Sequence, residues 1–184
     1  MSVERRAQIL DAALAVLARD GISGISMRAV AREAGLSLGL ANYHFDDKHG
    51  LIVAALERIA DADAQIVAAD PGLDADANLR RALHQVAAEE FLGLDYLALR
   101  LQLWSLAGVD PAYAAINQRA QAAYLSGLTT LLADARSDLD ADEIRRRAED
   151  ILVVQNGVWL TSVLVPDVAT MRRAVDRTEA IAFD

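Results

Sequence analysis

The chain has 184 residues, more than half of them hydrophobic, and a net charge of −9. This length suffices for one or two small domains with a buried core, and the abundance of Ala and Leu without alternating strand patterns predicts an all-α fold. The absence of cysteine excludes disulfides and thiolate metal sites. Three histidines without ligand spacing disfavour any other metal site, and we expect no cofactor. No uncharged run reaches the ~20 apolar residues of a membrane helix, so we expect a cytoplasmic protein that does not bind membranes.

The negative charge is unevenly distributed along the chain. In residues 1–51, six basic residues balance six acidic ones, so the whole excess of −9 lies in residues 52–184. An acidic C-terminal part repels phosphate and would turn a neutral N-terminal part toward nucleic acid. The same acidic charge weakens non-specific affinity for DNA, so charge alone does not establish DNA binding.

The first predicted element is a helix over residues 4–19, where apolar residues repeat at helical spacing until Gly21 ends the pattern. Arg5 and Arg6 lie near its N-terminus, where cations oppose the helix dipole. They are either solvated or part of an arm that contacts phosphate, and the sequence leaves both interpretations open.

Two short helices joined by a tight turn follow. Ser26 is a suitable N-cap for the second helix, and Gly35 stands where a residue with positive φ would end it. Ser37 can cap a third helix over residues 38–44, which is too short to be stable alone. Neighbouring residues must therefore pack it, and its outer face stays open for contact. This is the pattern of a helix-turn-helix, whose second helix enters the major groove of DNA.

The candidate DNA contacts lie in and around this motif. Arg28 is unfavourable in a first helical turn unless an anion is near, so it contacts phosphate or guanine, or else forms a surface salt bridge. Asn42 can pair with adenine, and Leu38 can touch a thymine methyl unless it belongs to the core. Phe45 is expected in the core between helices. The full candidate set is Ser26, Arg28, Ser37, Leu38, Gly39, Leu40, Asn42, Tyr43, His44 and Lys48.

Six further helices are predicted downstream, over residues 48–69, 76–92, 96–107, 111–136, 140–164 and 167–182. The breaks between them are residues 70–72, Gly93, residues 108–111 and Pro166, because Pro and Gly interrupt helices. The pattern therefore predicts about nine helices in all.

The N-terminal residues carry a family resemblance in the helix ILDAALAVLARDG, the link GISGIS, the segments AREAGLS and YHF, and Lys48 before GLI. Together they resemble the N-terminal domain of TetR-family transcriptional regulators. The resemblance implies a three-helix DNA-binding domain over residues 1–50, a helical ligand-binding and dimerisation domain over residues 51–184, and a phosphate contact by Lys48. Leu38, Ala41 and Asn42 depart from residues frequent in the family, so no base preference is carried over.

The C-terminal part resembles the choline-responsive repressors of the betaine pathway, in LWSLAGVDPAYAAINQRAQAAYLSGLTTLLADA and in NGVWLTSVL. That resemblance implies a ligand pocket in this part and a dimer interface made by the last two long helices. Helical bundles hold ligands between facing helices, and aromatic rings can hold a cation, although the same residues can simply be core. The candidate pocket residues are Phe91, Tyr96, Arg100, Trp104, Tyr113, Asn156 and Trp159.

The run ILVVQNGVWLTSVLV is nearly apolar on all sides, which predicts a helix buried on several faces. In a chain of this size a two-fold dimer interface explains such a helix economically. Two recognition helices about 34–36 Å apart would then read a palindromic operator. The candidate interface residues are Val154, Val158, Thr161, Ser162, Met171 and Val175.

The favoured function is a homodimeric repressor that a small-molecule effector releases from double-stranded DNA. Activation in place of repression stays open, as does the nature of the effector. The alternative is a helical small-molecule-binding or interaction protein without sequence-specific DNA binding. An enzyme using Glu89, Glu90 or His84 is disfavoured, because the chain has no nucleophile elbow, HExxH motif or phosphate loop.

Overall fold

The computed structural model describes residues 2–165 and 167–184, with side chains for all of these except residues 2, 89, 90, 94 and 103. Within this part the chain is all helical, and its ten helical segments are α1 Ser2–Gly24, α2 Met27–Glu33, α3 Leu38–His44, α4 Lys48–Ile66, α5 Ala75–Gln85, α6 Glu89–Leu92, α7 Leu94–Leu106, α8 Pro111–Ala135, α9 Ala141–Leu164 and α10 Val168–Phe183. No helix in these ranges combines the length and apolar composition that a membrane crossing requires. The expected all-α fold is confirmed.

The nine predicted helices are present, but the fifth is divided. The prediction of one helix over residues 76–92 is wrong, because the helix stops at Gln85 and resumes as α6 after Ala88, whose ψ of 150° is extended. Trp159 Nε1 donates to the carbonyl oxygen of Val86 at 3.0 Å. The indole therefore takes a carbonyl that a continuous helix would have used for its own hydrogen bond.

Two boundaries also differ from the sequence prediction. Gly21 does not end α1 but kinks it with a φ of 68°, and the helix continues to Gly24. The fourth helix ends at Ile66, three residues before the predicted end at 69. The predicted stop at Pro166 lies outside the described residues.

The first of two compact units comprises Met1–Ala60 and Ala98–Asn117. Its core is the apolar stripe of α1, including Ile9, Leu10 and Leu17, packed with buried residues of α2 and α4. Burial of this apolar surface is the main force that holds the short helices α2 and α3 against α1. Gln102 Nε2 donates to the Leu17 carbonyl at 2.7 Å and ties α7 to α1.

The second unit comprises Asp61–Leu97 and Gln118–Asp184, and α10 packs there against α9 and α5. Two arginines, Arg136 and Arg147, donate to the carbonyl of Ala182 at 2.7 and 3.2 Å and so satisfy the C-terminal end of α10. The unit bounds fall inside α4, α7 and α8, and the division into functional domains at residues 50 and 51 stays a prediction.

Candidate nucleic-acid interface

The turn between α2 and α3 is built from local sequence signals. Ser26 Oγ accepts a hydrogen bond from the N–H of Ala29 at 3.1 Å and caps α2. Gly35 has a φ of 65°, and the N–H of Leu36 donates back to the carbonyl of Ala31 at 2.9 Å. This is a Schellman motif, and its positive φ is the reason that a glycine stands at this position.

Helix α3 has seven residues, and its neighbours hold it in place. Ser37 Oγ accepts from the N–H of Leu40 at 3.2 Å, which caps the helix at its start. Ala41 is fully buried and Phe45 is 6% exposed in the core of the first unit. The predicted core position of Phe45 is confirmed, and the inner side of α3 is fixed by packing.

The outer face of α3 consists of exposed side chains. Tyr43 is 80% exposed and Leu38 is 38% exposed, while Asn42 is exposed between them along the helix. Leu40 and His44 are half-buried, and the His44 ring meets the Tyr43 ring edge to face at 5.3 Å. Among the residues of α3, the exposed side chains that carry hydrogen-bonding groups are therefore those of Asn42 and Tyr43.

Other predicted contacts flank this face. Arg28 is exposed, and a Cβ on exposed Gly39 would meet only Ser37 Oγ, at 4.0 Å. Lys48 Nζ donates to the carbonyl of Ile22 at 3.0 Å, so the ammonium group is anchored beside the end of α1 with further N–H groups left to donate. The hydroxyl groups of Ser26 and Ser37 act as helix caps, and any contact that they make with DNA stays a prediction.

Two residues of α1 that sequence reasoning missed position the motif. Gln8 Nε2 donates to the carbonyl of Ala34 at 2.8 Å, at the C-terminal end of α2. Arg19 Nη1 lies 3.0 Å from Glu33 Oε2 on α2, and hydrogen bonds to Asp20 and Glu33 raise the pKa of this arginine. Partners this far apart in sequence leave no periodic signal, so only the folded chain identifies them.

Three predicted pocket residues lie in the first unit. Arg100 is 2% exposed, with its guanidinium 5.8 Å from the centre of the Trp104 ring. Tyr113 is buried and stacks on the His49 ring at 5.3 Å. Burial, followed by the nearby charge of Asp110, raises the pKa of the Tyr113 hydroxyl.

The other four predicted pocket residues lie in the second unit. Phe91 meets the Tyr96 ring edge to face at 5.2 Å, and the Tyr96 hydroxyl donates to the buried carboxylate of Asp63. Trp159 is buried with its N–H donated to a backbone carbonyl, and Asn156 Nδ2 reaches a glutamine side chain at 3.4 Å. A shared pocket for all seven residues stays a prediction. The side chains of Glu89 and Glu90 lie outside the described part of the structure.

Most of the candidate dimer residues are covered within the chain itself. Val158, Ser162, Met171 and Val175 are all buried where α9 packs on α10, and Ser162 Oγ lies 3.2 Å from Met171 Sδ. Val154 and Thr161 line a shallow apolar groove between the same two helices. The exposed large apolar side chains of residues 153–168 are different ones, namely Val153, Leu160, Leu164, Val165 and Val168.

Comparison with known proteins places this geometry among bacterial regulators. Residues 9–55 match the family described as bacterial regulatory proteins, tetR family. The HTH-type transcriptional regulator BetI of Paraburkholderia phymatum is 29% identical over 168 residues, which cover 89% of this chain and 83% of that protein.

Two solved structures are similar to this chain over nearly its whole length. A member of the TetR family from Streptomyces coelicolor is 31% identical with a TM-score of 0.68, and the match covers 95% of this chain and 98% of that one. The multidrug binding protein EbrR, solved in complex with malachite green, is 26% identical with a TM-score of 0.69, and the match covers 97% of this chain and 98% of that one.

Proposed function

The chain belongs to the TetR family of bacterial transcriptional regulators, and we propose that it is a homodimeric repressor which a small molecule releases from a palindromic operator. The family is not enzymatic, and transcription regulation through DNA binding is its function. What we propose beyond membership of the family is the dimer, the palindromic operator, the effector and the residues that contact DNA. We also propose that it acts in the cytoplasm.

The exposed outer face of α3 is the observation that carries the proposal. Its inner side is fixed by Ala41 and Phe45, and its start is capped by Ser37, so Asn42 and Tyr43 are presented on a rigid support. An asparagine amide pairs bidentately with adenine in the major groove, and a tyrosine hydroxyl donates to phosphate. Lys48 and Arg28 add positive charge beside this face for the sugar–phosphate backbone.

The apolar surface of α9 supports the homodimer. Val153, Gly157, Leu160 and Leu164 are spaced four, three and four residues apart, which places them on one helical stripe. The three apolar side chains are exposed, and a Cβ on Gly157 would meet nothing within 4 Å. A second copy of α9 crossing at this glycine could approach closely and cover the stripe, as an isologous two-fold interface requires.

An effector that acts on such a dimer must bind its DNA-bound and released forms with different affinity. The resemblance to choline-responsive repressors and the malachite green complex of EbrR support a ligand in the C-terminal part. Small organic cations are therefore the first effectors to screen, with Tyr96 and Trp159 among the proposed pocket residues.

The test is selection of bound sequences from random duplex DNA at two salt concentrations. The proteins compared are the wild type, Asn42→Ala, Lys48→Ala and a control that removes an exposed charge from α10, Arg172→Ala. We expect the wild type to enrich a palindrome, Asn42→Ala to lose preference at particular positions, and Lys48→Ala to bind all sequences more weakly. Arg172→Ala should behave like the wild type.

Failure of a folded wild-type dimer to enrich any sequence would overturn the operator proposal. The remaining reading would then be a helical small-molecule-binding or interaction protein, the alternative expected from the sequence. Enrichment of a single half-site by a monomer would overturn only the palindrome and the dimer.

A further inference from the structure

We infer that Arg6, in the first turns of α1, contacts a DNA phosphate beside the C-terminal end of α3, while its neighbour Arg5 does not. This inference rests on the proposed function, because it names an additional contact in the same protein–DNA complex. It adds a residue outside the helix-turn-helix to the DNA-binding surface.

The contact between Arg6 and Phe45 gives the position of the charge. The Arg6 guanidinium carbon lies 5.0 Å from the centre of the Phe45 ring. Phe45 directly follows His44, the last residue of α3, and is almost fully buried. The guanidinium, on an exposed side chain, is therefore held over a fixed ring at the end of the recognition helix.

Helix geometry explains why Arg6 reaches this ring. It lies three and four residues before Ile9 and Leu10, so it continues the buried stripe of α1 by one turn. Its stem can follow the rim of the core while the charged end stays in water. Adjacent residues on a helix point about 100° apart, so Arg5 faces another direction.

Arg5 is occupied elsewhere. Its Nη1 donates to Gln8 Oε1 at 2.7 Å, and it lines an open hollow together with the acidic residues Glu4 and Asp11. One N–H group of Arg5 is thus engaged within its own helix, while Asp11 pairs with Arg58. Within the part of the chain that the structure describes, neither Arg5 nor Arg6 forms an ion pair with a carboxylate, so the position over the Phe45 ring is what distinguishes Arg6.

A recognition helix with its side chains is about 10–12 Å wide and fills a major groove about 12 Å wide. Phosphates line both walls of that groove, so a cation held at the end of the helix lies next to one of them. This argument assigns to Arg6 a contact that fixes position without reading sequence.

The test measures operator affinity by fluorescence anisotropy over a series of salt concentrations, with the full-length protein. The variants are Arg6→Gln, Arg5→Gln as the matched control, and Arg6→Lys as the charge-preserving substitution. One lost phosphate contact lowers the slope of log K against log salt by about 0.9 for each bound protomer, or about eightfold in affinity at 0.1 M salt. We expect this loss for Arg6→Gln on operator and random DNA alike, and a slope close to the wild type for Arg5→Gln and Arg6→Lys.

Equal slopes for the wild type, Arg6→Gln and Arg5→Gln would overturn the inference and leave the proposed function intact. Equal losses for both glutamine variants would also overturn it, because the effect would then be one of net charge and not of position. If the wild type bound no operator at all, the proposed function itself would fail, which the wild-type measurement alone reveals.

Discussion

Replacement of Gly127 by alanine should destabilise the second unit, because α8 passes too close to Val67 for a side chain to fit. A Cβ at position 127 would lie 2.5 Å from Val67 Cγ2, 3.1 Å from its Cβ and 3.4 Å from its carbonyl oxygen. Val67 is 5% exposed, and its β-branched side chain has few allowed rotamers. Rotation of Val67 cannot remove the contact with its Cβ, so the backbone of one segment must move.

Two opposing contributions to the free energy of unfolding set the size of the effect. Overpacking of a buried site costs about 1–3 kcal/mol, and a contact as short as this one belongs in the upper half of that range. Alanine favours a helix interior over glycine by about 1 kcal/mol. The net loss of unfolding free energy is then about 1–2 kcal/mol, which lowers the Tm of a chain of 184 residues by about 2–8 °C.

Thermal unfolding of Gly127→Ala, Val67→Ala and the double variant measures this clash directly. Val67→Ala removes the atom nearest to the added methyl group, so the double variant should lose less stability than the sum of the single losses. Gly50→Ala is the matched control, since its Cβ would meet only Asp47 Oδ1, at 3.5 Å, and its Tm should not fall. Additive losses, or a Tm for Gly127→Ala at or above the wild type, would refute the reasoning.

Three further outcomes are expected. Gly157→Glu should convert the dimer to a folded monomer in sedimentation, because a Cβ there meets nothing within 4 Å in its own chain, and a persistent dimer would contradict the proposed interface. Ser37→Ala should lower the unfolding free energy by about 1 kcal/mol in denaturant titration, since it removes the cap on α3, and an unchanged value would show the cap to be dispensable. Hydrogen bonds from Arg147 and then Arg146 lower the pKa of Glu143 below its ordinary value of 4.5. This carboxylate therefore contributes stability above pH 4.5 that is lost as the pH falls through its folded pKa, so Glu143→Gln should lower the Tm at pH 7 and the difference should vanish in acid.

The sequence by itself determined the elements whose signals are local. The sequence predicts Ser26 and Ser37 as helix caps and Gly35 as a turn with positive φ. The structure has each of them in that role. A capping hydroxyl or a positive φ depends on atoms within a few residues, so its residue type is already diagnostic. The periodic apolar stripe of α1 and the core position of Phe45 were equally visible in the pattern.

Only the tertiary structure decided features that depend on residues distant in the chain. The break after α5 arises because Trp159, 73 residues away, takes the carbonyl of Val86. The choice between Arg5 and Arg6 follows from the ring that one of them meets. The apolar run predicted that Val158 is buried, but not that its own chain buries it. An apolar periodicity indicates that one face of a helix is buried, but not which element covers it. The reason is that the hydrophobic effect is non-directional and identifies no partner.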